Sequence, residues 1–403
     1  MAKSKIHQFL LACLGAVLLC SAHADESHAS NDEFLIVDTH IDTPYRNFRN
    51  ELNIFDGTNT GQFDLPRAQQ GGLSVAFMSI YTPASAAEEG TSKSIALEQI
   101  DWVVETADST DAIDIATCVA DVRKLHEEGT LAFALGLENG SPLEGDPANM
   151  KAFADLGIRY VTLAHSRSNE FSDSSYDENE PLQGLSDAGR ELVHEMNRQG
   201  IMIDISHLTD KASWQVLELS KNPVLATHSS LRHFIPGFHR NIPDDLVVAM
   251  KENGGVVHIN FGSSFVSDES RAWRNTFDDA LEEANAASEL TPEQRQAFYA
   301  DYLEANPYPF ATVATVADHI DRVVELAGVE SIGLGSDFDG VGDTLPIGLK
   351  DASMFPNLID ELRERNYDDD ALRKILGENL MRVWAANEAI ASEQGHEPNC
   401  TQP

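Results

Sequence analysis

Eight short, nearly continuous apolar runs recur along the chain, at residues 34–37, 73–80, 131–137, 160–163, 201–205, 224–226, 256–259 and 331–334. Between them lie stretches of helical periodicity, at 187–199, 210–220, 244–252 and 311–327. Several close on glycine (Gly200, Gly328), as helix C-termini commonly do. Runs without polar alternation read as strands covered on both faces, which is the habit of parallel sheets sandwiched by helices. The pattern therefore predicts an α/β fold, a closed parallel (β/α)8 TIM-type barrel. An open doubly wound sheet is the competing arrangement, but no glycine-rich phosphate loop follows the first run. Three stretches exceed a minimal barrel, at 83–128, 169–185 and 261–309, and each follows a strand end. That is the face on which such barrels carry their active sites, so the insertions read as walls, lids or a dimer contact. Two closing helices are expected at 354–365 and 368–391.

The start of the chain carries an address. Lys3 and Lys5 precede an apolar run over 9–20, and Ala22-His23-Ala24 has the small-x-small form of a cleavage site. About a dozen apolar residues are too few to span a bilayer, so residues 1–24 read as a secretory signal peptide cleaved after Ala24. Lipid anchoring at Cys13 or Cys20 fits less well: too little apolar chain precedes Cys13, and Cys20 follows two leucines where a small residue is wanted. Residues 25–33 are expected to be flexible, 34–391 to form one domain and 392–403 a tail. No later stretch reads as a transmembrane helix, so a secreted or periplasmic protein is expected. Cleavage would leave Cys118 and Cys400, a pair that an oxidising compartment permits but that spacing does not dictate. No Cys-x-x-Cys occurs, which excludes thiolate zinc sites. With 66 acidic against 28 basic residues the formal net charge is -38, which argues against nucleic acid or an anionic membrane as partner.

The ends of the runs carry the chemistry. The first ends in His40 and Asp42, the third in Glu138 and Asn139, the fourth in His165, the fifth in His207, the sixth in His228 and the eighth in Asp337 and Asp339. Strand alternation points His40 and Asp42 the same way. In a parallel barrel, residues just past the strand ends converge on one mouth, so distance in sequence is no obstacle. One histidine of this kind is usually structural; the set together reads as a site for a divalent cation such as zinc. Its size exceeds what one tetrahedral zinc uses and favours two metals. Two cations roughly 3.5–4 Å apart can share a carboxylate and a bridging hydroxide, and Glu138 is the natural bridge. The first motif is His-x-Asp rather than His-x-His, and Thr162-Leu163-Ala164-His165 lacks a lysine. Both features separate the chain from barrel hydrolases that bridge their metals with a modified lysine.

The segments Asp38-Thr39-His40-Ile41-Asp42, Gly136-Leu137-Glu138-Asn139-Gly140, Thr162-Leu163-Ala164-His165-Ser166, Asp204-Ile205-Ser206-His207, Ala226-Thr227-His228-Ser229, His239-Arg240-Asn241-Ile242-Pro243-Asp244-Asp245 and Gly333-Leu334-Gly335-Ser336-Asp337-Phe338-Asp339-Gly340 resemble the membrane (renal) dipeptidase family of zinc peptidases. The likeness runs in the family's order over residues 34–385. It implies a (β/α)8 barrel with two zinc ions: His40 and Asp42 on one, His207 and His228 on the other, Glu138 bridging both. It also implies that His165 contacts the substrate and steadies the oxyanion, that Arg240 binds the substrate carboxylate and that Asp337 is general base and acid. The substrate so implied is a small dipeptide, and relatives that commonly pair leave a homodimer open.

Elementary chemistry agrees, since a planar guanidinium suits a terminal carboxylate better than an ammonium does. Arg240 has a second reading, a surface ion pair with Asp244 or Asp245. Asp38 is expected to partner a ligating histidine, and Asp339 to fix a loop. His194, His233, His239, His258 and His319 are expected to be structural or exposed. Manganese or cobalt also suits such ligands. Two alternatives stand beside a dipeptidase: a metal-dependent hydrolase of another small amide, lactone or β-lactam, and a non-catalytic, metal-stabilised binding protein.

Overall fold

The strands in chain order are β1 (Ile36–Ile41), β2 (Leu73–Tyr81), β3 (Ile113–Ile115), β4 (Leu131–Glu138), β5 (Ile158–Thr162), β6 (Met202–Asp204), β7 (Leu225–Ala226), β8 (Val256–Ile259) and β9 (Ile332–Leu334). They are seen in a computed structural model that describes residues 34–57, 60–396 and Cys400. The signal peptide expected over 1–24 and the flexible segment at 25–33 lie outside the described residues. All pairings are parallel, in the order β1-β2-β4-β5-β6-β7-β8-β9. The ring returns to β1 through a bridge between Ile41 and Phe338, where Asp42 N–H donates to Phe338 O at 2.8 Å. This is the (β/α)8 barrel that the eight runs predict.

Burial explains why the runs are so apolar. β1 and β4 are buried at every position, and β2 at all but its last. One set of side chains (Val37, Val75, Phe77, Ala132, Ala134, Tyr160, Met202, Leu225 and Val256) fills the barrel interior, together with Leu380, Met381, Val383 and Trp384 from the last helix. The larger apolar cluster packs the helices onto the outside of the strands. Within the interior the rings climb in steps, Trp384 to Phe77 at 5.4 Å, Phe77 to Tyr160 at 5.5 Å and Tyr160 to His40 at 6.5 Å. Tyr160 has room only because Gly136 faces it: a Cβ there would lie 1.9 Å from the ring. The packed core thus reaches the first of the polar strand ends.

Helix ends follow local rules. Asp187–Gln199 starts on Ser186, whose hydroxyl accepts from Gly189 N–H, and stops on Gly200 at φ 72°. Asp210–Leu219 is capped in the same way by Thr209. Two expectations need correction. The stretch 83–128 is only in part a wall of the mouth: the short helix Ala84–Glu89 pairs through Glu88 with Arg167, two residues past His165, at 2.8 Å, and the rest holds the crossover helix Ser92–Asp108, the short strand β3 and the helix Val119–Glu128. β3 pairs with Leu131–Phe133 at the start of β4, the end away from the mouth, and three residues carry too little pattern to stand out in sequence. The closing helix expected at 368–391 is interrupted by a π turn, Lys374–Glu378, between Asp369–Arg373 and Asn379–Glu393. Its Gly377 packs so closely on Leu35 O that a Cβ would lie 2.4 Å away.

Cys118, at the start of Val119–Glu128, forms a disulfide with Cys400 across a sequence separation of 282. No helix among the described residues is long and apolar enough to cross a membrane.

Candidate metal centre and active site

At the carboxyl ends of the strands, four imidazoles surround one carboxylate oxygen. The Nε2 atoms of His40 and His165 lie 3.4 Å from Glu138 Oε1, and those of His207 and His228 lie 3.3 Å from it. Ser79 on β2 donates to the other oxygen, Oε2, at 3.1 Å. Asp42 Oδ2 is 3.5 Å from His40 Nε2, as strand alternation predicts. Three overlapping groups have ligand atoms close enough to hold a cation: His40, Glu138 and His228; Glu138, His165 and His207; His40, Asp42 and Asp337.

Second partners turn the ring nitrogens toward this centre. Tyr160 donates its hydroxyl to Thr39 O at 3.1 Å, so it accepts from His40 Nδ1 at 3.0 Å. That leaves the buried His40 Nε2 without a hydrogen bond, turned toward the Asp42 and Glu138 carboxylates. Thr227 donates to Asp204 Oδ2 at 2.6 Å and so accepts from His228 Nδ1 at 2.9 Å. Thr162 donates to the same Asp204 oxygen at 2.6 Å. Such relays fix the tautomer that presents Nε2 as a ligand. Asp38 does not have the role expected of it: its Oδ1 accepts from His40 N–H at 3.1 Å and Ser336 N–H at 2.9 Å, on backbone rather than an imidazole. Its short side chain folds onto the nearest donors, and Tyr160 reaches the ring from across the barrel.

Electrostatics fit a cation. Burial works to raise the Glu138 carboxyl, but His40, His165 and hydrogen bonds from His207 and His228 hold it well below the usual carboxylate range. Burial lowers His228 to about 4, with His40 adding to the effect, and burial with Arg240 and His165 nearby keeps His207 neutral as well. His40 goes the other way: burial opposes its charge, yet Tyr160, Glu138 and Asp42 together raise it well above its ordinary value. The cluster therefore demands positive charge where His40, Asp42 and Glu138 meet, and neutral imidazoles with buried lone pairs stand beside it. This donor set suits divalent metal ions.

The centre opens into a cavity of about 510 Å³. Asp42, Glu138, His165, His207, His228, Arg240 and Asp337 line it together with Tyr45, Tyr81, Tyr176 and Phe265. Arg240 is buried, donating through Nη1 to Ser229 Oγ at 2.7 Å and through Nη2 to His228 O at 2.8 Å. Its surface-ion-pair reading is excluded, because Asp244 pairs with Arg322 and the Asp245 side chain accepts from Leu246 N–H at 3.0 Å. The His165 ring packs between Tyr81 at 4.6 Å and His207 at 4.0 Å. Asp337 sits in left-handed backbone at φ 64°, and burial pushes its carboxyl up to about 6 against the lowering field of His228. Asp339 ties loops, accepting from Gln62 N–H at 2.6 Å and Thr43 Oγ1 at 2.7 Å.

His40, Asp42, Glu138, His165, His207, His228, Arg240 and Asp337, the eight side chains expected to hold metal or substrate, thus meet at one mouth. Tyr160, Thr227, Asp204 and Asn260, which hold or approach them, were not singled out. Thr227 and Asp204 lie inside the quoted motifs, so nearness to His228 and His207 was their available signal; Tyr160 and Asn260 lie within or beside apolar runs and had none. His258 and His319 are buried on backbone partners, away from the centre.

A parallel barrel with an imidazole- and carboxylate-lined mouth positioned to bind metal defines a class of barrel metalloenzymes. Within it, the description membrane dipeptidase (Peptidase family M19) matches residues 24–397, and the chain belongs to that family of metallopeptidases. It is 31% identical to an uncharacterized dipeptidase of Schizosaccharomyces pombe over 93% of this chain and 85% of the other. Among solved structures, the probable dipeptidase PvdM from Pseudomonas aeruginosa is similar at a TM-score of 0.76 and 28% identity, over 90% of this chain and 97% of that one. A metallo peptidase from Rhodobacter sphaeroides, liganded with a phosphinate mimic of the dipeptide L-Ala-D-Ala, is similar at 0.72 and 26% identity, over 88% and 99%.

Proposed function

We propose that the chain is an exported dipeptidase that works with two zinc ions and hydrolyses dipeptides bearing a free C-terminal carboxylate. The observation that carries this reading is the convergence of four Nε2 atoms on Glu138 Oε1, within 3.3 to 3.4 Å. His40 and Asp42 would hold one ion, His207 and His228 the other, and Glu138 both. Divalent cations so held supply Lewis acidity, which lowers the pKa of water and polarises a carbonyl.

The chain's own residues do the rest. Arg240 pairs with the terminal carboxylate; its guanidinium is already braced by Ser229 and the His228 carbonyl, so little freedom is lost on binding. His165 faces the scissile carbonyl and donates to the oxyanion as it forms. Asp337, near pKa 6, takes a proton from the attacking water and returns it to the leaving amine; a group poised near working pH does both well. The tyrosines and Phe265 exclude water around the bound peptide. The phosphinate dipeptide mimic held by the Rhodobacter relative supports a dipeptide as substrate. The Cys118–Cys400 disulfide supports an oxidising compartment, in line with the leader-like start of the chain.

The test compares a dipeptide with its C-terminal amide, before and after chelation and zinc return. The free acid should be cleaved, chelation should abolish turnover and zinc should restore it. Arg240→Met should lose the free-acid reaction without improving the amide. Equal cleavage of acid and amide by the wild type refutes the carboxylate assignment, and turnover that survives full chelation refutes the metal reading.

A further inference from the structure

We propose that Asn260 is a positioning residue that ties down one oxygen of Asp337, so that the other oxygen is the one offered to the bound dipeptide. This rests on the reading of Asp337 as the proton-transfer group. Asn260 follows β8 directly and is fully buried. Its Oδ1 accepts from Gly262 N–H at 2.7 Å, which identifies the oxygen end of the amide. The NH2 end is thereby turned to Asp337, and Nδ2 donates to Oδ2 at 2.6 Å.

The amide stands on a braced frame. Asn260 O accepts from Ser230 Oγ at 3.1 Å, Phe261 N–H donates to Ser336 O at 3.2 Å and Gly335 N–H to Ile259 O at 3.2 Å. Asp337 is held on its other side, where its N–H donates to His40 O at 3.1 Å. Its other oxygen, Oδ1, meets the Asp42 carboxylate: a Cβ on Gly340 would come 2.1 Å from Asp337 Oδ1 and 2.2 Å from Asp42 Oδ2. Only a residue without a side chain leaves space for both carboxylates.

An amide NH2 can donate but not accept. A proton carried by Asp337 therefore sits on Oδ1, the oxygen beside Asp42. It arrives as the water oxygen bonds to the peptide carbonyl carbon and leaves to the amine nitrogen as the C–N bond breaks. Without Asn260 the carboxylate could turn about its last torsion. His40, Asp42 and Asp337 already have ligand atoms within 4.8 Å of one another, so a loosened Asp337 could swing in as an extra metal ligand. Asn260 keeps it a proton carrier.

The experiment measures kcat, KM and bound zinc for zinc-loaded wild type, Asn260→Ala, Asp337→Asn and the double variant. Asn260→Ala should lower kcat roughly 10–100-fold, as lost positioning partners do, with KM and zinc content near those of the wild type. In the Asp337→Asn background it should cost nothing further. An equal loss in both backgrounds marks a merely structural role and overturns the proposal. So does unimpaired Asn260→Ala beside a crippled Asp337→Asn, which leaves the reading of Asp337 standing. Wild-type turnover by Asp337→Asn overturns that reading and the proposal with it. Should Asn260→Ala fail to fold, Asn260→Asp keeps the acceptor for Gly262 while removing the donor; it should lose kcat to at least the same extent, and a wild-type rate overturns the proposal.

Discussion

Glu138 gathers four imidazoles around one oxygen, so its charge matters more than its shape. Glu138→Gln keeps the shape, and bound zinc and activity should fall together; two tightly held ions in the variant, by elemental analysis, would remove the bridging role. Thr227 gives a subtler case. Its hydroxyl stands between His228 Nδ1 and Asp204, so Thr227→Val preserves volume but leaves the ring tautomer unset. Metal affinity, measured by chelator competition, should weaken roughly 10–100-fold, with the fold intact by circular dichroism. At this scale the candidate ligands at the strand ends were legible because polar residues ending apolar runs are conspicuous. Tyr160 was not: its ring is core and only its hydroxyl reaches His40, a contact made by barrel closure between residues 120 apart.

The helix Val313–Ala327 shows what one buried residue does for an element. His319 sits fully buried on it, accepting from Leu231 N–H at Nδ1 and donating from Nε2 to Val266 O, both at 3.1 Å. It thus ties the helix to the loops after β7 and β8, which carry Arg240 and Asn260. Burial lowers its pKa from 6.5 to about 4. The unfolded chain therefore binds the extra proton between those values, and folding stability falls as pH drops through that window. Protonation would also destroy the acceptor for Leu231. The shift corresponds to about 3 kcal/mol at most. His319→Gln retains an acceptor and a donor but cannot charge, so its unfolding midpoint should fall less between pH 6.5 and 4 than the wild type's; parallel curves would refute the assignment. Helix existence and caps were readable from periodicity and from Ser, Thr and Gly placement. The π turn and β3 were not, because both depend on what they pack against.

Over the whole molecule, two features invite measurement. The Cys118–Cys400 disulfide joins points 282 residues apart, and replacing both cysteines with serine should lower stability by about 2–4 kcal/mol, read as an earlier denaturant midpoint with unchanged kcat. The net charge of -38 repels itself across the surface. Raising salt to roughly 0.15 M shortens screening to about 8 Å, so the melting temperature should rise with sodium chloride; a flat response would mean the charges are already locally paired. The chain by itself determined the barrel and its site, because strand periodicity and ligand-type residues at run ends are local properties that parallel closure then gathers at one end. Spacing allowed the cysteine pair without requiring it, and left Arg240 open between clamp and surface ion pair. Tertiary structure alone decided which groups set the histidine tautomers, that Arg240 is buried facing the cavity, and that Asn260 grips Asp337, because each depends on the relative placement of distant strand ends, a property of the closed barrel and of no single segment.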